Sequence, residues 1–424
     1  MSAKGKKKGA LVPHLRFPEF RDAGEWAKIL LSKIAVPVSE RATDEDTDDV
    51  LTLSAEHGVV AQSAYFGKKV AGDDVSRYIR IKNNDFVYND RTTKLYKYGT
   101  IKRLSRHTHG IVSPIYKCFR FNDEEIPVFW EWYFESGEHD AQLYSIINEG
   151  AKEGRFNIAI RQFLSTHVYF PNKIEQQKIA DCLSSLDERI AAEANKLDAL
   201  KAHKSGLLKQ LFPAEGETLP ALRFPEFRSA GEWEERTLSQ LGELVSGLTY
   251  SPDDVRDNGL LVLRSSNVQN GMIVLDDNVY VRHEIGSANP SEPNDILICV
   301  RNGSKSLIGK NALIPEGMPP CTHGAFMMVF RSRSAKFVIQ LFQTETYESQ
   351  VSAGLGATIN SINGNQLKKY KFFVPKPAEQ QKIADCLSSL DELIAAQRQK
   401  LSLLKTHKKG LMQQLFPVFD EAKA

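Results

Sequence analysis

Two short stretches of the chain crowd cations and hydrogen-bonding side chains together with almost no acid between them. The first, YNDRTTKLYKYGTIKRLSRHTH from Tyr88, carries Arg91, Lys94, Lys97, Lys102, Arg103 and Arg106 against the one acid Asp90, with Tyr88, Tyr96 and Tyr98 interleaved. The second, CVRNGSKSLIGK from Cys299, carries Arg301, Lys305 and Lys310 and no acid. Lysine and arginine neutralise phosphates and release counterions, while Arg, Asn, Thr and Ser pair with base edges in the major groove. The candidate nucleic-acid contacts are therefore Tyr88, Asn89, Arg91, Thr92, Thr93, Lys94, Tyr96, Lys97 and Lys102 in the first stretch, and Arg301, Asn302, Ser304, Lys305 and Lys310 in the second. A glycine-rich pair, NEGAKEGRFNIAIRQF (Asn148 to Phe163) and SAGLGATINSINGNQL (Ser352 to Leu367), adds Arg155, Asn157, Thr358 and Asn360, because glycine lets backbone approach a phosphate closely. A basic turn standing alone is often only solvated. These two gain weight because NDFVYNDRTTKLYKYG (Asn84 to Gly99) lines up without a gap on NDILICVRNGSKSLIG (Asn294 to Gly309), placing Arg91 on Arg301 and Gly99 on Gly309.

Catalytic constellations are missing. GSKSLIGKN (Gly303 to Asn311) has its glycines wrongly spaced for a phosphate loop, and Asn311 stands where a magnesium-holding Ser or Thr is needed. No HExxH, GxSxG or metal-spaced His/Cys cluster is present, nor the Asn/Asp-Pro-Pro-aromatic tetrapeptide of amino-methyltransferases. The run RATDEDTDD (Arg41 to Asp49) lacks the ligand spacing of a calcium loop and reads as solvated, as do Lys4 to Lys8 of the leading tail. A net charge of +2 argues against a general nucleic-acid coat, so any such surface is local. Five scattered cysteines without a CxxC pair, no apolar run of membrane-spanning length and no signal-like h-region predict a cytoplasmic protein that binds rather than reacts.

The elements that position these turns are written twice. LRFPEFRDAGEW (Leu15 to Trp26) recurs as LRFPEFRSAGEW (Leu222 to Trp233), and Glu175 to Pro213 recurs as Glu379 to Pro417 at a constant offset of 204, with 10 differences in 39 positions. In the long repeat, Ile179, Leu183, Leu186, Ile190, Leu197, Leu200, Leu207 and Leu211 fall in a 4-3-4 rhythm broken at Glu193 and Lys204. Ile383, Leu387, Leu390, Ile394, Leu401, Leu404, Leu411 and Leu415 repeat it, broken at Gln397 and Lys408. That rhythm is a heptad seam on a helix of roughly 54 Å, stopped at LFP because proline cannot continue it. The blocks between, about Ala27 to Ile174 and Glu234 to Ala378, carry short β-branched runs such as LLVLRSSNV and DILICVR and read as strand-rich domains. The expected organisation is a tail at 1–14, a strand-rich domain at 15–174, a helix at 175–213, a second such domain at 214–378, a helix at 379–417 and a tail at 418–424.

Two variable blocks alternating with repeats of the form PxxxEQQKIADCLSSLDE, running through a leucine seam to GLLKQLFP or GLMQQLFP, resemble the specificity (S) subunit of type I restriction-modification enzymes. The resemblance implies an α+β fold in which two mixed, strand-rich target-recognition domains are separated by two long helices forming an antiparallel coiled coil with pseudo-two-fold symmetry. It implies that each domain reads half of an asymmetric bipartite site in double-stranded DNA, with half-sites near one helical turn apart. Two methyltransferase (M) subunits would dock on the duplicated helices, and two restriction (R) subunits would complete the assembly. S-adenosylmethionine, ATP and magnesium would belong to those partners, leaving this chain without cofactor or catalysis. The rival readings are a coiled-coil adaptor indifferent to DNA and a stand-alone nuclease with a dispersed site.

Overall fold

The computed structural model describes residues 11–43, 49–68, 70–72, 74–147, 154, 156–286, 288–355 and 360–417. They fall into two units: the described residues of 1–193 with those of 400–424, and those of 194–399. Two long helices, Lys173–Leu211 and Pro377–Leu415, join the units, each passing from one into the other.

In the first unit a four-stranded antiparallel sheet has the order Ala35–Pro37, Lys117–Phe121, Phe86–Asn89, Thr100–Arg103. A second sheet has the order Gly58–Ala61, Val50–Ser54, His109–Val112, Ile79–Lys82, with one parallel pair at its centre. The second unit repeats the first sheet as Glu243–Ser246, Met327–Arg331, Ile296–Cys299, Asn311–Leu313. Its other sheet, Val255–Arg256, Val279–Val281, Leu260–Leu263, Cys321–His323, keeps the parallel pair but places the third long strand on the opposite side of it. Of their four-stranded sheets, the duplicated blocks thus share one and differ in the other, and both also pair a leading strand with a closing one, Ala27–Leu30 with His167–Phe170 and Glu234–Thr237 with Lys371–Val374.

Left-handed backbone and buried ions mark the shared frame. Asn84 and Asn294 both adopt positive φ, 70° and 68°, and Gly99 and Gly309 do the same at 97° and 81°. A Cβ on Gly99 would lie 2.4 Å from the Asn89 carbonyl oxygen, so the turn closes only with glycine there. Beside each asparagine a buried aspartate accepts the backbone N–H three residues earlier: Lys82 N–H to Asp85, and Glu292 N–H to Asp295. Arg120 and Arg331 each grip that aspartate with two N–H groups, at 2.5 and 2.7 Å and at 2.9 and 2.7 Å. The carboxylate hydrogen bonds hold both guanidinium pKa values above the ordinary arginine value.

The repeated sequences form one anchor, built once in each unit. Arg16 donates to both oxygens of Glu175 at 2.7 and 2.6 Å and to the Gly24 carbonyl; Arg223 does likewise to Glu379, at 2.7 and 2.7 Å, and to Gly231. Gln176 and Gln380 donate to the carbonyls of Pro171 and Pro375, five residues back. Trp26 meets Phe416 edge-on at 5.9 Å, and Trp233 meets Phe212 at 6.2 Å. The Leu15 N–H donates to Gln414 and the Leu222 N–H to Gln210, which ties each leading segment to the far end of the other long helix.

The long helices run antiparallel within each unit. In the first, Asp187 meets Lys408 and Glu193 meets Lys400. In the second, Lys204 meets Asp391 while Leu211 and Phe212 share a core with Ile383 and Ala384. The seam residues Ile179, Leu183, Ile190, Leu197, Ile383, Leu387 and Ile394 are buried, and Leu186, Leu200, Leu390, Leu401 and Leu404 are half-buried. Three of the four heptad breaks, Glu193, Lys204 and Lys408, hold ion pairs. Lys204, 5% exposed, donates to Asp391 and to Gln343, both at 2.6 Å. Burial lowers its pKa and Asp391 partly restores it. Lys408 sits 4.2 Å from the centre of the Trp132 ring.

Candidate nucleic-acid interface

The first basic turn joins Phe86–Asn89 to Thr100–Arg103 and is braced by its own side chains. The Thr92 hydroxyl donates to the Lys97 carbonyl at 3.0 Å, the Tyr96 N–H donates to the Thr93 hydroxyl at 3.0 Å, and the Thr93 N–H donates to the Tyr96 carbonyl at 3.0 Å. Asp90 beneath it is buried, paired with Lys117 at 2.5 Å and accepting the Ile158 N–H at 3.0 Å. That last bond, with Thr92 N–H to Gly154 and Phe156 N–H to Asp90, brings the glycine-rich stretch against the basic turn. In the second unit the Asn302 N–H donates to Asn360, the Asn360 side chain donates to Gly303 at 2.9 Å, and the Ile362 N–H donates to Val300. Two stretches far apart in sequence therefore meet in each unit.

The candidate residues separate on exposure and pairing. Arg91, Thr92, Lys94 and Lys97 are exposed, as are Arg301, Ser304, Lys305 and Lys310. Among the described residues Arg91, Lys94, Lys97, Arg301, Lys305 and Lys310 have no carboxylate partner, though Lys97 lies over the Tyr98 ring at 5.2 Å. Asn89, Thr93, Asn302 and Asn360 are half-buried, and Asn302 donates to the Ser265 hydroxyl at 3.0 Å. Asn157 is exposed with φ 50°. Arg155 and Thr358 lie outside the described residues, as do Lys4 to Lys8 and the centre of the acidic run at 44–48.

Three candidates are placed elsewhere by the packing. Tyr88 is fully buried, stacked on Phe163 at 5.0 Å, its hydroxyl donating to the Tyr98 carbonyl; it is a core residue, not a surface contact. Tyr96 donates to Glu135 at 2.7 Å, and Lys102 is paired with the same carboxylate while donating to the Tyr96 oxygen at 2.9 Å. Burial pushes the Tyr96 phenol up, and Glu135 adds to it. The Lys102 charge is neutralised inside the unit, so neither side chain is available to a phosphate. Two strand histidines outside the turns differ between the units. His323 is buried between the Ser291 hydroxyl and the Val245 carbonyl, whereas His109 is exposed beside Asp49.

Sequence reasoning missed Phe326. It is 57% exposed, and its ring lies 5.6 Å from the Arg301 guanidinium carbon. In GAFMMVF it reads as one more strand hydrophobe, and nothing local signals its exposure.

Residues 230–406 match the family model described as the type I restriction modification DNA specificity domain. The EcoKI specificity subunit of Escherichia coli (strain K12) is 30% identical over 168 residues, 37% of this chain and 36% of that one. The StySPI specificity subunit of Salmonella potsdam is 29% identical over 168 residues, with the same shares of each chain. The aligned region spans little more than a third of the length of these relatives. Among solved structures, the type I restriction-modification S subunit from M. genitalium shares the fold, with a TM-score of 0.60 at 15% identity, over 96% of this chain and 100% of that one. Over residues 230–406 the chain is thus similar to type I restriction modification DNA specificity domains, and its fold is that of a type I S subunit. No helix among its described residues is long and apolar enough to cross a membrane.

Proposed function

We propose that this chain is the non-catalytic DNA-reading subunit of a type I restriction-modification assembly. Its two target-recognition domains, 15–174 and 214–378, each read one half of an asymmetric bipartite site in double-stranded DNA. One observation carries the reading. Two blocks of unlike sequence share a turn framed by a left-handed asparagine and a left-handed glycine, and each turn exposes an arginine, Arg91 or Arg301, with no carboxylate partner among the described residues. A scaffold has no need of such a side chain, whereas a base edge or phosphate does. The proposed contacts in the first domain are Asn89, Arg91, Thr92, Thr93, Lys94, Lys97 and Asn157. In the second they are Arg301, Asn302, Ser304, Lys305, Lys310 and Asn360, with Arg155 and Thr358 as further candidates.

The duplicated helix explains the partners. From Glu175 to Glu188 and from Glu379 to Glu392 the two copies are identical, including the exposed Gln177, Asp181, Ser185 and Glu188 and their counterparts Gln381, Asp385, Ser389 and Glu392. Packing does not fix exposed residues, and further along the helices exposed positions do differ, as at Arg189 and Leu393. An identical outer stripe fits two copies of one methyltransferase subunit, with restriction subunits joining that assembly in the cytoplasm and with S-adenosylmethionine, ATP and magnesium held by those partners.

The test is a footprint of the full chain on DNA with and without its methyltransferase partner. Two separated, sequence-specific half-sites should appear with the partner present. Uniform, sequence-independent protection would sink the proposal, and magnesium-dependent cutting by the lone chain would replace it with a nuclease.

A further inference from the structure

We propose that Phe326 is a positioning residue that holds Arg301 ready for a base edge at the second half-site; this rests on the DNA-reading assignment above. The residue grips Arg301 at both ends. Its carbonyl accepts the N–H groups of Val300 and Arg301 at 3.0 and 3.1 Å, and its ring carries the guanidinium 5.6 Å from the centroid. The backbone around Arg301 is clamped further by a bridge to Ser361 and by Ile362 N–H to Val300. With 57% of its surface in water, Phe326 contributes little to its own core, so burial does not account for a phenyl ring there. A free arginine side chain must give up its rotamer freedom on binding, and a ring face that restricts the guanidinium beforehand removes part of that loss. The edge of the guanidinium, with its fork of N–H donors, remains free for the two acceptors of a guanine.

The first unit lacks the device. Pairing in the shared sheet sets Phe86 opposite Phe119 and Ile296 opposite Phe330, and it matches Asp85–Arg120 to Asp295–Arg331. By that register the counterpart of Phe326 is Ile115, exposed but aliphatic, and Arg91 has no ring beneath it among the described residues. The scaffold is therefore satisfied by an aliphatic residue at this position, and the aromatic face serves Arg301.

The experiment compares F326I, F326Y, R301A and the double variant in the full chain with its methyltransferase partner, reading discrimination at each half-site separately. The first half-site in the same molecule controls for the amount of assembled complex, and the double variant controls for folding of the second unit. F326I should lose roughly three- to thirtyfold of discrimination at the second half-site and none at the first. F326Y should retain wild-type discrimination, and F326I added to R301A should cost nothing further. If R301A is defective while F326I matches wild type, or if the two losses add, the positioning role is overturned and the DNA-reading assignment stands. If R301A leaves the second half-site unchanged, the assignment of that turn itself fails.

Discussion

The two units are alike where they grip the helices and unlike where they face outward. Each fixes its leading segment with a two-pronged Arg–Glu pair, a Trp–Phe contact and a bond to the far end of the other long helix. The turns above those anchors share a backbone frame, but the first is stiffened by threonines and by a Tyr96–Lys102–Glu135 cluster, the second by Asn302, Asn360 and Phe326. The cores differ as well. The first unit packs Trp130, Tyr133, Phe129 and Phe134 as interlocking rings, whereas the second is mostly aliphatic around Phe330 and Phe337. The contrast teaches that the constraint lies at the helices and the sheet frame. Core composition and outer loops are free to drift so long as volume and backbone geometry are kept.

The strongest way to break this comparison is at the anchors. Glu175→Ala and Glu379→Ala each leave a largely buried arginine without its carboxylate, at a cost on the order of 3–5 kcal/mol. Calorimetry should show the melting transition of the affected unit falling by a similar amount in either case. A large loss in one unit and none in the other would contradict the equivalence of the two anchors.

The heptad breaks should separate the units. Asp391→Ala strands the buried Lys204 and should cost about 2–3 kcal/mol in chemical denaturation. Asp187→Ala should cost less, because Lys408 is less buried and rests on the Trp132 ring. The reverse order would overturn the account of how burial sets these pairs.

At the turns, Arg91→Ala and Arg301→Ala should each weaken recognition of one half-site by about 1–3 kcal/mol and leave the other intact, measured by partner-dependent footprinting with single half-site substitutions. Equal loss at both half-sites would erase the division of labour. The smallest effect is expected from Lys94→Ala, which should lower the salt dependence of DNA binding by about one unit without changing sequence preference. Lys102→Ala should leave that dependence unchanged, since its charge is already paired with Glu135.

Particular residues show how far a sequence reading reaches. The 4-3-4 rhythm and the LFP stop mark the helices now seen at Lys173–Leu211 and Pro377–Leu415, because a seam and a proline act locally. The gapless match of Asn84 to Gly99 with Asn294 to Gly309 corresponds to left-handed backbone at both ends, a property of the residues themselves. Tyr88 was not legible as core. Phe86, Val87 and Tyr88 are all buried, so their strand carries no alternation from which to tell an inner face from an outer one. Lys102 could not be told from a free lysine, because its neutralising Glu135 lies 33 positions away in sequence. Phe326 was hidden in an apolar run whose register only the sheet reveals.

By itself the sequence determined the duplication, the helices and their seams, the place of the two basic turns and the kinship of the two blocks, all of which rest on local propensity or on repetition. Only the tertiary structure decided which cations are left unpaired, which candidate side chains are turned inward, and that Glu175 and Glu379 are the counter-ions of Arg16 and Arg223. Charge neutralisation and burial are settled by whatever arrives from elsewhere in the chain, and for Arg16 that partner is 159 residues away.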